Sequence, residues 1–140
     1  LKKLLMAIQK QKKKTWDWFS KYIRLKYADD EGMCECYTCG KKYHWKKIQC
    51  GHGLGGRTNN IIFNEDICRT QCYGCNVMQY GKLDEFGAKL RAEIGDFTYD
   101  HYLRTKHDVK KFTDYELKTL EEKYKILAKD LAEQKKQEIK

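Results

Sequence analysis

The sequence predicts an α+β domain in which a compact, cysteine-stapled ββ unit is flanked by N-terminal and C-terminal helices. Three observations carry that reading. Apolar residues recur at helical spacing near both ends of the 140-residue chain, all seven cysteines fall between Cys34 and Cys75, and four of those cysteines form two C-x-x-C pairs.

Taken in order, residues 1–27 read as a basic helical arm. They hold nine Lys/Arg against one acid, Asp17, so most of the net charge of +9 sits there. Leu1 to Lys14 read as a basic helix or frayed arm. Thr15 is a candidate N-cap for a helix running to about Tyr27, with Trp16, Phe19, Ile23 and Tyr27 on one face. In the middle segment, the short β-prone runs Lys47–Cys50 and Asn60–Phe63 predict strands. Leu83, Phe86, Leu90 and Ile94 then form a helical stripe that Gly95 stops. A short helix is expected from Thr98 to near His107. Thr113 and Glu116 form a capping box, with Phe112 and Leu117 placed as its hydrophobic staple. Leu117, Leu120, Tyr124, Leu127 and Leu131 make an a/d seam about two heptads long. It suits packing on the domain itself or a short dimer coil.

The bulk properties narrow the class. With 41% apolar and 35% charged residues, the core is small and calls for a staple. No run approaches the roughly 18 apolar residues of a membrane span, and Leu1 to Lys14 is too cationic for a secretory signal. The chain opens on Leu1 rather than methionine, which leaves room for residues upstream. An odd number of cysteines without a signal favours metal binding in a reducing, cytoplasmic compartment over disulfides. A cationic arm suits a polyanion, because each neutralised phosphate releases condensed counterions; a solvated tail is the plainer alternative.

Cys36-Tyr-Thr-Cys39 and Cys72-Tyr-Gly-Cys75 are two knuckles. Together they offer four thiolates to one tetrahedral Zn²⁺ with no open position, which defines a structural site. The 32 residues between the pairs exceed the usual ribbon spacing of about 15–20, so a substructure is inserted there. Cys34 is a spare, Cys50 and Cys68 read as small buried apolar residues, and His44 as a strand-surface histidine.

The insert carries Cys50-Gly51-His52-Gly53, followed by Gly55, Gly56 and Arg57. A glycine-flanked histidine is expected to be accessible, and a neutral imidazole can deprotonate a water for attack on a phosphodiester. Asn76 directly follows the last knuckle cysteine and offers a hard oxygen suited to Mg²⁺ or Mn²⁺. His52 and Asn76 are therefore the catalytic candidates.

These motifs resemble the ββα-metal (HNH-type) nucleases, and within them the phage NinG/Rap recombination endonucleases. The layout is also similar to that of phage endonuclease VII. The matching stretch runs from about Phe19 to Leu131 and includes Phe19-Ser-Lys-Tyr-Ile-Arg-Leu25, Cys36-x-x-Cys39-Gly40, Gly51-His52, Phe63-Asn-Glu-Asp66, Gln71-Cys72-x-x-Cys75-Asn76 and Ile94-Gly95. The resemblance implies a zinc-bound HNH-like nuclease core over residues 28–95 and a C-terminal helical extension over 96–140. It implies metal-dependent cleavage of branched DNA such as Holliday junctions or D-loops, in a phage or prophage protein acting inside its bacterial host. His52 would be the general base, Asn76 the ligand of a catalytic Mg²⁺ or Mn²⁺, and Cys36, Cys39, Cys72 and Cys75 the zinc ligands.

Three departures accompany the resemblance. Gly51 stands where many HNH enzymes carry a metal-binding aspartate, so Glu65, Asp66 or water is expected to complete the site. Ile67 stands where the family has a bracing asparagine, a role left to Asn64. A further cysteine-rich N-terminal segment is missing. Candidate DNA contacts are Arg57, Arg69 and Lys82 near the site and Lys12, Lys13, Lys14, Lys21 and Arg24 on the arm, while Tyr80 and Trp45 are candidates for base stacking or core packing. A homodimer would suit two incisions. A non-catalytic zinc-bearing DNA-binding or recombination-mediator module is the alternative.

Overall fold

The computed structural model describes residues 1–140. It is an α+β structure of four helices, α1 (Lys2–Lys26), α2 (Leu83–Ile94), α3 (Asp96–Thr105) and α4 (Asp114–Gln134), with four short strands, β1 (Met33–Glu35), β2 (Lys42–His44), β3 (Gln49–His52) and β4 (Cys68–Gln71). No helix is long and apolar enough to cross a membrane.

α1 is continuous for 25 residues, so Thr15 does not start a helix. The residues before it are strong helix formers with no Gly or Pro to interrupt them. The Thr15 hydroxyl, instead of capping, donates back to Gln11 O at 3.0 Å and lies 2.9 Å from Leu117 O on α4. α4 lies alongside α1 in the same direction. Thr15 meets Leu117, Phe19 meets Tyr124 edge to face at 4.9 Å, and the Lys135 ammonium caps the C-terminal carbonyls of α1 at Leu25 and Lys26 and reaches Ala28 O just beyond. The a/d seam of α4 is therefore filled by α1 within the same chain.

β1 and β2 form one antiparallel hairpin, and β3 and β4 a second, with Gln49 opposite Gln71 and His52 opposite Cys68. The first predicted strand run begins later than expected, since Lys47 belongs to a 3₁₀ turn, Trp45–Lys47. The second, Asn60–Phe63, is not a strand. The amides of Ile61 and Ile62 both turn back to Thr58 O, and this lets two adjacent isoleucines enter the core, which an extended chain would send to opposite faces.

α2 ends at Gly95 (φ +90°), as read, and the same glycine begins α3 two residues earlier than Thr98. Thr113 caps α4 by accepting from the Glu116 amide at 3.1 Å.

Two cores result. Phe19, Ile23, Ile61, Ile67, Phe86, Leu90 and Tyr124 anchor the first, together with Cys50 and Cys68 as small buried apolar residues. Leu25, Trp45, Ile48, Ala128 and Ala132 pack with Cys34 and the knuckle cysteines Cys36, Cys72 and Cys75 in the second. Sequence segments 1–27, 28–95 and 96–140 all contribute to these cores.

The glycines around His52 serve packing rather than access. A Cβ at Gly53 would lie 1.9 Å from Leu90 Cδ1 and 2.9 Å from Phe86, and one at Gly51 would lie 2.3 Å from Gln71 Oε1. Gly53→Ala is therefore expected to cost about 2–3 kcal/mol, the scale of overpacking in a core. Gly55→Ala, whose Cβ would meet nothing closer than 3.4 Å, should cost less than about 1 kcal/mol. Urea unfolding of the two zinc-loaded variants checks the difference; equal midpoints would contradict it.

Candidate metal centre and catalytic cleft

The two knuckles converge. The Sγ atoms of Cys36, Cys39, Cys72 and Cys75 all lie within 4.8 Å of one another, and Cys39 and Cys72 are 3.8 Å apart. Zn–S bonds of about 2.3 Å in a tetrahedron require sulfur–sulfur edges of about 3.8 Å, so the four residues fit zinc. Burial alone would raise the Cys36 thiol, but the amides of Cys72 and Cys39 and the Thr38 hydroxyl outweigh it and hold the thiol down at about 6. Burial pushes Cys75 up to about 12, and three neighbouring sulfurs add to the push. Four sulfurs this close cannot all ionise without a cation among them. Cys34 stays outside the cluster, its thiol 3.2 Å from Arg24 O. His44 lies on β2 and accepts from the Lys46 amide.

His52 ends β3 on the face covered by α1. It is buried, not accessible, because the glycines that flank it draw the strand into the packed core. Its Nε2–H donates to Ile62 O at 3.0 Å. That bond fixes the tautomer and leaves the lone pair on Nδ1. Trp16 stacks on the ring at 5.2 Å, and the Arg57 guanidinium lies 4.3 Å from the outer face of Trp16. Burial pushes His52 down to about 4; the Ile62 hydrogen bond opposes this and the Arg57 charge adds to it.

Asn76 sits on a wide helical turn, Gly74–Met78, that follows the last strand directly. It lines a cleft of about 410 Å³ with Trp16, Ser20, Arg24, Gln49 and Arg57. Its Nδ2 donates to Gln49 Oε1 at 2.8 Å. His52 and Asn76 thus flank the same Trp16–Arg57 pair, the first beneath it and the second beside it. A second cleft of about 570 Å³, lined by Lys12, Lys13, Trp16, Asp17 and Arg57, continues along α1 from that pair.

The structure does not bring every candidate to this place. Glu65 is held elsewhere by the hydroxyls of Tyr22 and Tyr124 at 2.9 and 3.2 Å and by Lys26, and Asp66 by the Tyr102 hydroxyl. Neither lines the cleft of Asn76, which contains no carboxylate. A divalent ion there would find neutral amide oxygens from the protein. Its remaining ligands would have to be water and the anionic oxygens of a substrate.

Asn64 caps the turn that leads into β4 by accepting from the Asp66 amide. Arg69 is buried, donating to the carbonyls of Glu65, Asp66 and Cys68 and pairing with Glu93 at 3.3 Å, so it ties β4 to α2 instead of facing solvent. Among the other cationic candidates, Lys12 donates to Asn59 and Arg24 to Trp45 O, Lys21 lies over Trp18, Lys13 pairs loosely with Asp17, Lys14 is exposed, and Lys82 is half-buried in a left-handed conformation before α2. Trp45 is buried and Tyr80 fully exposed. Trp16, Ser20 and Gln49 line the cleft but were not among the candidates. Trp16 reads as one more apolar position on a helix, and nothing in the sequence marks Gln49.

A family model described as Bacteriophage Lambda NinG protein matches residues 2–135. No curated protein and no solved structure matches the chain.

Two outcomes follow from this geometry. The folded protein should carry one zinc per chain, and stripping it, or Cys72→Ser, should abolish the cooperative unfolding transition. Apparent zinc affinities of about 10–16 kcal/mol rival the whole stability of a domain; a metal-free protein with an unchanged transition in near-ultraviolet circular dichroism would contradict this. His52 supplies a pH signature. Its folded pKa is depressed, so the unfolded chain binds the proton first as pH falls. Stability is therefore lost between about 6.5 and 4, by on the order of 3 kcal/mol. Relative to His52→Gln, the wild type should lose that amount between pH 7 and 4 in denaturant titrations, a comparison in which any zinc release common to both cancels.

Proposed function

The chain belongs to the bacteriophage lambda NinG family, and on that premise we propose that it is a metal-dependent DNA endonuclease of the HNH type acting on branched recombination intermediates such as Holliday junctions and D-loops. The observation that carries the proposal is the Trp16–Arg57 pair, which has a tautomer-fixed histidine beneath it and a cleft beside it holding Asn76, two arginines and no carboxylate. The order of parts also fits: strand, histidine, loop, returning strand, then a helical turn bearing an oxygen ligand.

In this reading Lys12, Lys13, Arg57 and Arg24 hold the phosphate backbone along α1, and salt weakens binding accordingly. His52 is neutral at pH 7, so its Nδ1 carries a lone pair that would take a proton from the attacking water once the Trp16 ring that covers it moves aside. A base with a pKa near 4 is a weak one. A phosphate paired with Arg57 offsets the one charge that depresses it and so raises its pKa, which makes it a stronger base, although burial, the larger cause, remains. Asn76 would hold a Mg²⁺ or Mn²⁺ ion, which when bound would stabilise charge on the leaving oxygen. Gln49 steadies the Asn76 amide.

A second reading, a non-catalytic zinc-bearing DNA-binding or recombination-mediator module, is favoured by the burial of His52 under Trp16 and by the missing carboxylate. One assay separates them. With Mg²⁺ or Mn²⁺, the zinc-loaded protein should nick four-way and three-strand junctions, and His52→Gln should lower the rate at least about 100-fold with junction affinity within about threefold. Binding without nicking under either metal would leave the module reading standing, and full activity in His52→Gln would remove the histidine from the role of base.

A further inference from the structure

Beside the cleft, the chain from Tyr73 to Lys82 presents an apolar and aromatic edge. Val77 lines the cleft with Asn76, while Met78 and Tyr80 are 69% and 88% exposed. Tyr80, Gly81 and Lys82 all have positive φ, at 53°, 88° and 45°. For tyrosine and lysine that conformation is disfavoured, and it persists only where the surroundings impose it. The imposing contacts are visible. The Gly81 amide donates to Cys75 O at 2.9 Å, and Gly81 O accepts from the buried Gln71 Nε2 at 2.8 Å. The loop is thus clamped at its middle residue to the knuckle and to β4, and the clamp turns the Tyr80 ring out into solvent.

We propose that Tyr80, with Met78 beside it, is a preformed wedge that stacks on unpaired bases at a branch point and so gives the cleft its preference for branched over fully paired DNA. The charge pattern selects a nucleic acid over an apolar protein partner. Arg24 and Arg57 flank the cleft, Lys82 follows the wedge, and no acid lies in the cleft or between Tyr73 and Lys82; the first acids, Asp84 and Glu85, come on α2. An aromatic ring beside a cationic groove is the arrangement that holds unstacked bases without reading their sequence, and apolar side chains such as methionine wedge into base steps. A paired duplex offers no free base face to the wedge. This inference rests on the proposed DNA-binding cleft, not on cleavage.

The test uses the full zinc-loaded chain with Ca²⁺ in place of Mg²⁺, so that no cutting is needed. Anisotropy titrations compare a fork with unpaired bases at its branch against a linear duplex of the same length. Tyr80→Asn removes the ring with a residue that tolerates the left-handed conformation, and Tyr80→Phe keeps the ring. Fork affinity is expected to fall about tenfold or more in Tyr80→Asn, with duplex affinity changed less than twofold and Tyr80→Phe retaining the fork preference. Equal losses on fork and duplex, or no loss on either, would overturn the wedge while leaving the cleft in place. A wild type that binds neither DNA would overturn the proposed function together with it. A wild type that prefers forks but never nicks them in Mg²⁺ would overturn the nuclease and keep the wedge.

Discussion

Four sulfurs within 4.8 Å of one another hold together segments of chain that are otherwise far apart in sequence. Cys36 and Cys39 close the first hairpin, while Cys72 follows β4 and Cys75 lies in the turn that bears Asn76. Leu25, Trp45, Ile48 and two alanines of α4 are buried around this junction, so apolar burial adds to what the metal supplies against the free energy that ordering the chain costs. The placement of Asn76 depends on the cluster, and so does the Gly81 clamp, because the carbonyl that receives the Gly81 amide belongs to Cys75.

α1 is the other element on which the site depends, and it has two roles. From Gln11 to Lys26 it is the wall against which both cores pack, held to α4 by Thr15, Phe19 and Lys135. The same helix places Trp16 over His52 and carries Lys12, Lys13 and Arg24 along the clefts. A basic segment that reads from the sequence as an arm is thus built into the fold and lines the proposed binding surface. Its cationic residues project from an ordered helix, so less backbone freedom is lost when phosphate is bound.

What the sequence made legible was what local chemistry decides. The knuckles, the Thr113 cap and the Gly95 stop depend on residues a few positions apart, and each lies where it was read; of the apolar stripes, Phe86 and Leu90 on α2 and Leu117 and Tyr124 on α4 are buried, while Leu83 is exposed. Features that depend on distant neighbours were not legible. Thr15 looks like a cap until Leu117 arrives beside it. Asn60–Phe63 looks like a strand until Thr58 folds back on it. Gly51 and Gly53 look like openings around a histidine until Gln71, Leu90 and Phe86 fill the space where their Cβ atoms would be. Arg69 looks like a phosphate ligand, yet three carbonyls and Glu93 claim its guanidinium.

The glycine at position 51 bears on chemistry as well as packing. An aspartate there would drive its Cβ into Gln71, whose Nε2 holds Gly81 and whose Oε1 is buried without a partner. The residue that excludes a carboxylate from this strand is therefore the same one that clamps the Tyr80 loop. On the proposed reading, the chain gives up an anionic metal ligand of its own and leaves that ligand to the phosphate of the DNA. Such a site is incomplete until a strand lies in the cleft. A metal at Asn76 would then be held more firmly with substrate present, and the same phosphate would offset the Arg57 charge, the smaller of the two effects that lower His52. On that reading metal affinity and the basicity of His52 would both rise with one binding event, while the burial that dominates the histidine's low pKa would still have to be relieved by movement of Trp16.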